Sequence, residues 1–330
     1  MKKIYFMIAA AATLFAACAE TDVINDVNVE NAPQAIGFET FADNITRQVS
    51  NATALNSYHD AFGVWAYKST KRDEAVMPNY KVEHKPDGDN LTWEYAGVND
   101  QTIKYWDKNA EYAFYAYAPY VASGVTEDDG VISIEEGEYA ANENLQTWGT
   151  DLNTKEFSGE GDSPTASTDW MIAEKITGYK TYTGQVPEEF KHIMSKLVVK
   201  LQSTVANTVI NSVSVNNVHG TGSYDGTWST DNNPAKSILG ATGEIATANK
   251  PYYTMEYLLI PSSAAPTFSV NYTISGDTYN VEEVAITNIA SFEANTKYEL
   301  TVTIDLNAIQ FKATASDFDT PQPGGSVNIQ

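Results

Sequence analysis

Beyond Cys18, apolar residues recur at every second position along much of the chain, and sustained helical spacing is hard to find beside them. Tyr298, Leu300, Val302, Ile304 and Leu306 fall on one face of their segment, with Glu299, Thr301, Thr303 and Asp305 on the other. Phe268, Val270, Tyr272 and Ile274 repeat the arrangement, as do Leu197, Val199 and Leu201. Successive side chains of a strand point to opposite faces, so each segment reads as a strand with one buried and one wet face. Turn residues part the strands at Pro86-Asp87-Gly88-Asp89, Asp128-Asp129-Gly130, Asn232-Asn233-Pro234 and Ser275-Gly276-Asp277. Short alternating strands with frequent turns indicate all-β sandwiches with Greek-key connections. Setting aside a 17-residue leader, the 330-residue chain keeps 313 residues, which is too long for one sandwich and fits two.

The leader is Met1 to Ala17: Lys2 and Lys3 at the start, an apolar middle and small residues at the end. This is a secretory signal and takes no part in the fold. The only cysteine of the chain, Cys18, follows it directly, and Leu14-Phe15-Ala16-Ala17-Cys18 resembles a bacterial lipobox with its Leu one place further upstream than usual. In a lipoprotein, that sulfur receives a diacylglycerol and the new amino group is acylated. Several buried acyl chains, at ~0.8 kcal/mol per methylene, anchor a protein without a spanning helix. The alternative is a plain secreted protein in which Cys18 is incidental. Residues 18–34, opening with Ala19-Glu20-Thr21-Asp22, read as a tether.

Charge and cysteine content exclude several function classes. Twenty Lys and Arg stand against 43 Asp and Glu, a net charge of −23, which becomes −25 once Lys2 and Lys3 leave with the signal. Nucleic acid is therefore not an expected partner, since phosphate recognition needs clustered cations. One cysteine precludes a disulfide scaffold and any cysteine zinc site, and four scattered histidines offer little for metal chemistry. No metal, cofactor or catalytic residue is expected. After the leader, no apolar run reaches the ~18–20 residues that span a bilayer.

Other constellations have bland readings. Glu127-Asp128-Asp129 and Glu135-Glu136 are oxygen-rich but lack calcium-loop spacing, and acidic loops on an acidic chain are usually solvated. Asp100, Asp107 and Glu111 form a glycosidase pair only if two carboxyls are held across a cleft. His192 and Ser195 would point to opposite faces of one strand, which leaves His192 as a packed structural residue. The tryptophans Trp65, Trp93, Trp106, Trp148, Trp170 and Trp228 read mainly as sandwich core, with exposed ones available for stacking on sugars. Gly, Asn, Ser, Thr and acids crowd residues 135–168, read as long loops of the first domain. The domain boundary is placed at Val186-Pro187-Glu188-Glu189, giving domains 35–187 and 188–330.

Several fragments in order resemble the fimbrillin-like (Mfa-like) family of Bacteroidota surface proteins, the subunits of type V pili. The first is Ala35-Ile36-Gly37-Phe38 followed by Thr46-Arg47, and the second is Phe62-Gly63-Val64-Trp65-Ala66-Tyr67. Tyr105-Trp106 and the stretch Tyr112 to Pro119 come next, then Phe190-Lys191-His192 running into Ser195 to Leu201. Leu258-Leu259-Ile260-Pro261 and Asn295 to Leu300 complete the set. The resemblance implies two transthyretin-like sandwiches and assembly by strand exchange. A lipoprotein precursor reaches the outer membrane through Cys18, and a trypsin-like or Arg-specific protease cuts the loop after the first strand. The groove left behind is then filled by a strand from a homologous subunit.

The residues permit that scheme. Ile36 and Phe38 share a face that Thr40 continues, and Arg47 lies in the polar stretch Asp43 to Gln48. A candidate donor strand places Ile309, Phe311, Ala313 and Ala315 on one face, although these residues equally suit the last strand of the second sandwich. Arg47 equally suits an ordinary exposed loop. The expected function is therefore that of a structural pilus subunit (stalk, tip or anchor) at the outer membrane surface, contributing to adhesion. Its expected partners are sibling subunits and a processing protease, with surface glycans as a further candidate. The rival reading is a monomeric glycan-binding lipoprotein, which would use the aromatics and leave Arg47 idle.

Overall fold

The structure, a computed structural model, describes residues 33–42, 55, 59–69, 71–87, 90–98, 100–138, 147–148, 169–182, 184–230, 236–239, 242–247, 252–305, 309–317 and 326–328. All of its named elements are strands, as the alternation requires. The first half contributes β1 (Gly37–Ala42), β2 (Ala61–Lys68), β3 (Lys71–Asp87), β4 (Asn90–Tyr95), β5 (Tyr112–Ala118), β6 (Val125–Asp128), β7 (Val131–Glu138), β8 (Thr147–Trp148), β9 (Met171–Ala173), β10 (Ile176–Tyr179) and β11 (Gln185–His192). Eight of them form one sheet in the order β10-β5-β2-β3-β4-β1-β11-β9. Because β9 also pairs with β5 through Ile172–Tyr117 and Met171–Ala118, the path of strands returns on itself around a core. Phe38, Phe62, Val64, Phe114 and Phe190 fill that core.

β2 and β5 are near-continuous apolar runs, because both of their faces are covered. Phe62, Val64, Phe114 and Ala116 face the enclosed core. Trp65, Tyr115 and Tyr117 point the other way, into a second cluster with Trp170, Met194, Leu258 and Ile260. Gly63 is fixed by this arrangement: it pairs with Tyr117, whose ring a Cβ at position 63 would meet at 2.2 Å.

The second half contributes β12 (Ser195–Ser203), β13 (Thr208–Val218), β14 (Thr221–Asp225), β15 (Trp228–Ser229), β16 (Lys236–Leu239), β17 (Gly243–Ile245), β18 (Tyr252–Leu259), β19 (Thr267–Ile274), β20 (Asp277–Ala285), β21 (Thr296–Ile304), β22 (Ile309–Asp317) and β23 (Ser326–Asn328). A six-stranded sheet runs β23-β22-β21-β12-β18-β8, and a second runs β16-β13-β19-β20 with β17 beside β13. Leu197, Val199, Leu300 and Val302 of one layer share a core with Val213, Val215, Phe268 and Val270 of the other. β12 and β21 pair in parallel, so the chain between them must cross to the opposite layer and return. The all-β sandwich fold is thus as the sequence indicates.

Turn chemistry explains two hairpins. Asp129 and Gly130 have φ of 47° and 78° between β6 and β7, and Ser275 and Gly276 have 53° and 94° between β19 and β20. Positive φ at both central residues is the primed turn that matches strand twist. Asn232–Pro234 and Gly88–Asp89 lie outside the described residues.

The halves also share structure. β6 and β7 pair with β14 and β15 in a four-stranded sheet ordered β15-β14-β7-β6. Within the stretch read as first-domain loops, residues 135–138 continue β7, and β8 pairs with β18 of the second sandwich. The boundary expected at 187/188 falls inside β11, whose partners are β1 and β9. The chain changes sheet one turn later. Ile193 N–H still donates to Trp170 at 2.9 Å, and the next carbonyl, Met194, accepts from Asn295 at 3.0 Å.

Residues 34–330 form one compact unit. With a shared sheet and a shared cluster around Trp65 and Ile260, the two sandwiches are expected to unfold together. Calorimetry of the signal-free chain should show one transition, and two well-separated peaks would contradict the shared layer.

Candidate functional site

The site of interest is the seat of β1. Its backbone is held from three directions. Gly37–Ala42 pair in parallel with β11, from Gly37–Gln185 to Ala42–Phe190. On the other side Phe38 pairs with Trp93 of β4. Just before the strand, Ile36 N–H donates to Lys104 at 2.8 Å, Trp106 N–H donates to Gln34 at 2.9 Å, and the Tyr95 hydroxyl donates to the Ile36 carbonyl at 2.6 Å. Side chains follow the alternation: Ile36, Phe38 and Thr40 are buried, while Glu39 is exposed. Phe38 is 1% exposed and meets Phe62, Phe114 and Tyr95 edge-on, with centroids 5.5, 6.1 and 6.5 Å away. Burying such a ring contributes about 2–3 kcal/mol, and edge-to-face contacts add to it.

One feature of this seat was missed in the sequence. Val186, Glu188, Phe190 and His192 alternate inward on β11, so Glu188 lies at 0% exposure in register with Thr40. Burial in apolar surroundings pushes its carboxyl up from 4.5 to about 8. The period-two pattern of β11 contained this placement. A second buried polar group closes the far end of β11: Asp169 Oδ1 lies 2.9 Å from His192 Nδ1, and the Asp169 carbonyl lies 2.8 Å from His59 Nε2. Burial lowers His59 from 6.5 to about 4, so its ring is neutral.

The sequence profile of the fimbrillin-like family matches residues 46–317. The chain belongs to the fimbrillin-like family. None of the curated proteins matches it. Solved structures similar to this fimbrillin-like chain include a candidate cell adhesion protein from Bacteroides uniformis (18% identity, TM-score 0.50, covering 86% of this chain and 98% of that one). Another candidate cell adhesion protein, from Bacteroides ovatus, has 16% identity and a TM-score of 0.55, covering 88% and 100% of the two chains. A fimbrial protein from Bacteroides vulgatus has 15% identity and a TM-score of 0.55, covering 86% and 99%. At these identities the likeness is one of fold.

Cys18 and Arg47 lie outside the described residues. Ile309, Phe311 and Ala313 are buried in the second core, with Phe311 5.5 Å from Phe268, and Ala315 is exposed. All four lie on β22, which pairs along its length with β21 and through Phe311–Val327 with β23. His192 and Ser195 sit in different sheets, and the Ser195 hydroxyl donates to the Glu293 carbonyl at 2.6 Å. Asp107 receives Lys68 at 2.9 Å, which holds its carboxyl below the usual range, and Glu111 pairs with Lys180. Glu127 accepts from Gly130 N–H and the Tyr67 hydroxyl, both at 2.5 Å, so it serves the turn. Trp65, Trp106 and Trp170 are buried, and Trp93 and Trp228 are half-buried.

Phe38→Ala is expected to cost about 3–5 kcal/mol in urea unfolding, far more than Glu39→Ala on the exposed face. Glu188 gives a second expectation. Its folded value lies above its unfolded one, so the folded state binds the extra proton and stability falls as pH rises from 4.5 to 8. His59 has the opposite sign, with stability lost as pH falls from 6.5 to 4. Between pH 6.5 and 8 only Glu188 of the two contributes, lowering stability by roughly 2 kcal/mol. Glu188→Gln should flatten that part of the profile, and an unchanged slope would contradict the assignment.

Proposed function

We propose that this fimbrillin-like chain is a structural subunit of a surface pilus, completed by exchange of its first strand. Delivery runs through lipid on Cys18, and a protease cut after Arg47 frees the segment that contains β1. A strand from a neighbouring subunit then takes the vacated place. The observation that supports this most strongly is the seat of β1, a terminal segment of the compact unit whose side chains fill the middle of an aromatic core.

The physics of exchange follows from that seat. Loss of β1 leaves the backbone of β11 without its parallel partner and uncovers the pockets of Ile36 and Phe38, both costly in water. An extended segment with apolar residues two apart restores the ladder and refills the pockets. Ile309, Phe311 and Ala313 carry that spacing. In the single chain they close the second sandwich, so donation requires β22 to leave β21. The chain acts as a scaffold on the cell surface rather than as a catalyst. A sugar-binding role would draw on exposed tryptophans, whereas five of the six are wholly or partly inside.

Arg47→Ala should block removal of the first segment and abolish detergent-resistant oligomer ladders from the cell surface. Unchanged ladders from that variant would refute this route.

A further inference from the structure

The groove and its resident strand match at two positions and disagree at a third. Ile36 and Phe38 enter apolar seats, but the next inward residue, Thr40, lies in register with Glu188. Thr40 is 6% and Glu188 0% exposed. Neither the Thr40 hydroxyl nor either Glu188 carboxyl oxygen has a hydrogen-bond partner among the described residues. A buried polar group left unpaired costs about 1–3 kcal/mol, and the resident strand incurs that cost as long as it stays.

Resting on the strand-exchange reading above, we propose that Glu188 selects the incoming strand. The groove favours a segment of another subunit with an aromatic residue at the seat of Phe38 and, two residues later, an Asn or Gln whose amide pairs with the Glu188 carboxyl. Burial keeps that carboxyl protonated at neutral pH. A protonated carboxyl both donates and accepts, and a primary amide is its complement, giving two hydrogen bonds in one ring. The Thr40 hydroxyl makes no such bond among the described residues.

The chain's own Ile309–Ala313 segment is a poor fit by this criterion. Laid along β1, it puts Ile309 and Phe311 on the seats of Ile36 and Phe38 but brings Ala313 to Glu188, with nothing to donate. By this criterion the preferred donor is a segment other than Ile309–Ala313.

Hydrogen exchange in the full, uncut chain tests this. Thr40→Gln and Thr40→Asn are each combined with wild-type Glu188 and with Glu188→Leu, and exchange at residues 37–42 is compared with exchange in β12 and β21. At least one amide variant should slow exchange in β1 about tenfold beside Glu188 and lose that effect beside Glu188→Leu. No slowing, or slowing that persists with Glu188→Leu, overturns the proposal. Should overpacking unfold both amide variants, the comparison moves to the chain cut at Arg47. There, synthetic peptides of residues 33–42 with Thr or Gln at position 40 compete for the groove. Gln should win about tenfold, and equal occupancy overturns the proposal. Where an amide variant folds, a chain that resists cutting at Arg47 counts against the strand-exchange reading alone, because the exchange measurement needs no cut.

Discussion

The parallel pairing of Gly37–Ala42 with β11, and the Phe38 ring it carries into the space between Phe62, Tyr95 and Phe114, close the first core. Every other strand of that sheet comes from residues 61–192, so the segment that completes the core arrives from outside the block it completes. Nothing covalent fixes it there except the chain between β1 and β2. Its hold is the sum of a short ladder, two apolar seats and a few flanking hydrogen bonds, opposed by the unpaired Thr40–Glu188 position. Such a segment can be both indispensable to the core and separable from it, since local opening energies within one protein range from near zero to the global value.

The rest of the molecule keeps its form around that seat because β2 and β5 are buried on both sides. Their inner faces build the pocket for β1, and their outer faces pack on the layer containing Trp170, Leu258 and Ile260. That layer carries strands of both halves and ties the second sandwich to the first. Tyr117 shows the tightness of this contact: its hydroxyl donates to Val121 at 2.9 Å while its ring occupies the space above Gly63.

Local rules made much of this legible in the sequence. Alternation fixed the buried faces of β12, β19 and β21, and the Asp-Gly and Ser-Gly turns marked two hairpins. Ile36 and Phe38 were readable as one inward face, and tryptophans were expected inside. Long-range pairing was not readable. No local pattern says that β6 and β7 find β14 and β15, or that β12 lies parallel to β21, because those pairings join distant segments. Glu188 was hidden for another reason. An acid within a strand is normally assigned outward on cost, and here the fold accepts that cost. Pro187 and the two glutamates after it, which read as a boundary, lie within β11. Cys18 and Arg47, read from motif alone, lie outside what the structure describes.

The account turns on which chain occupies the space between β4 and β11 in the assembled state. A cryo-electron microscopy map of filaments containing this subunit answers that directly. The account predicts density there from a neighbouring subunit, with residues 35–42 of the same chain absent. A filament in which each subunit keeps its own Ile36, Phe38 and Thr40 in that space would contradict it.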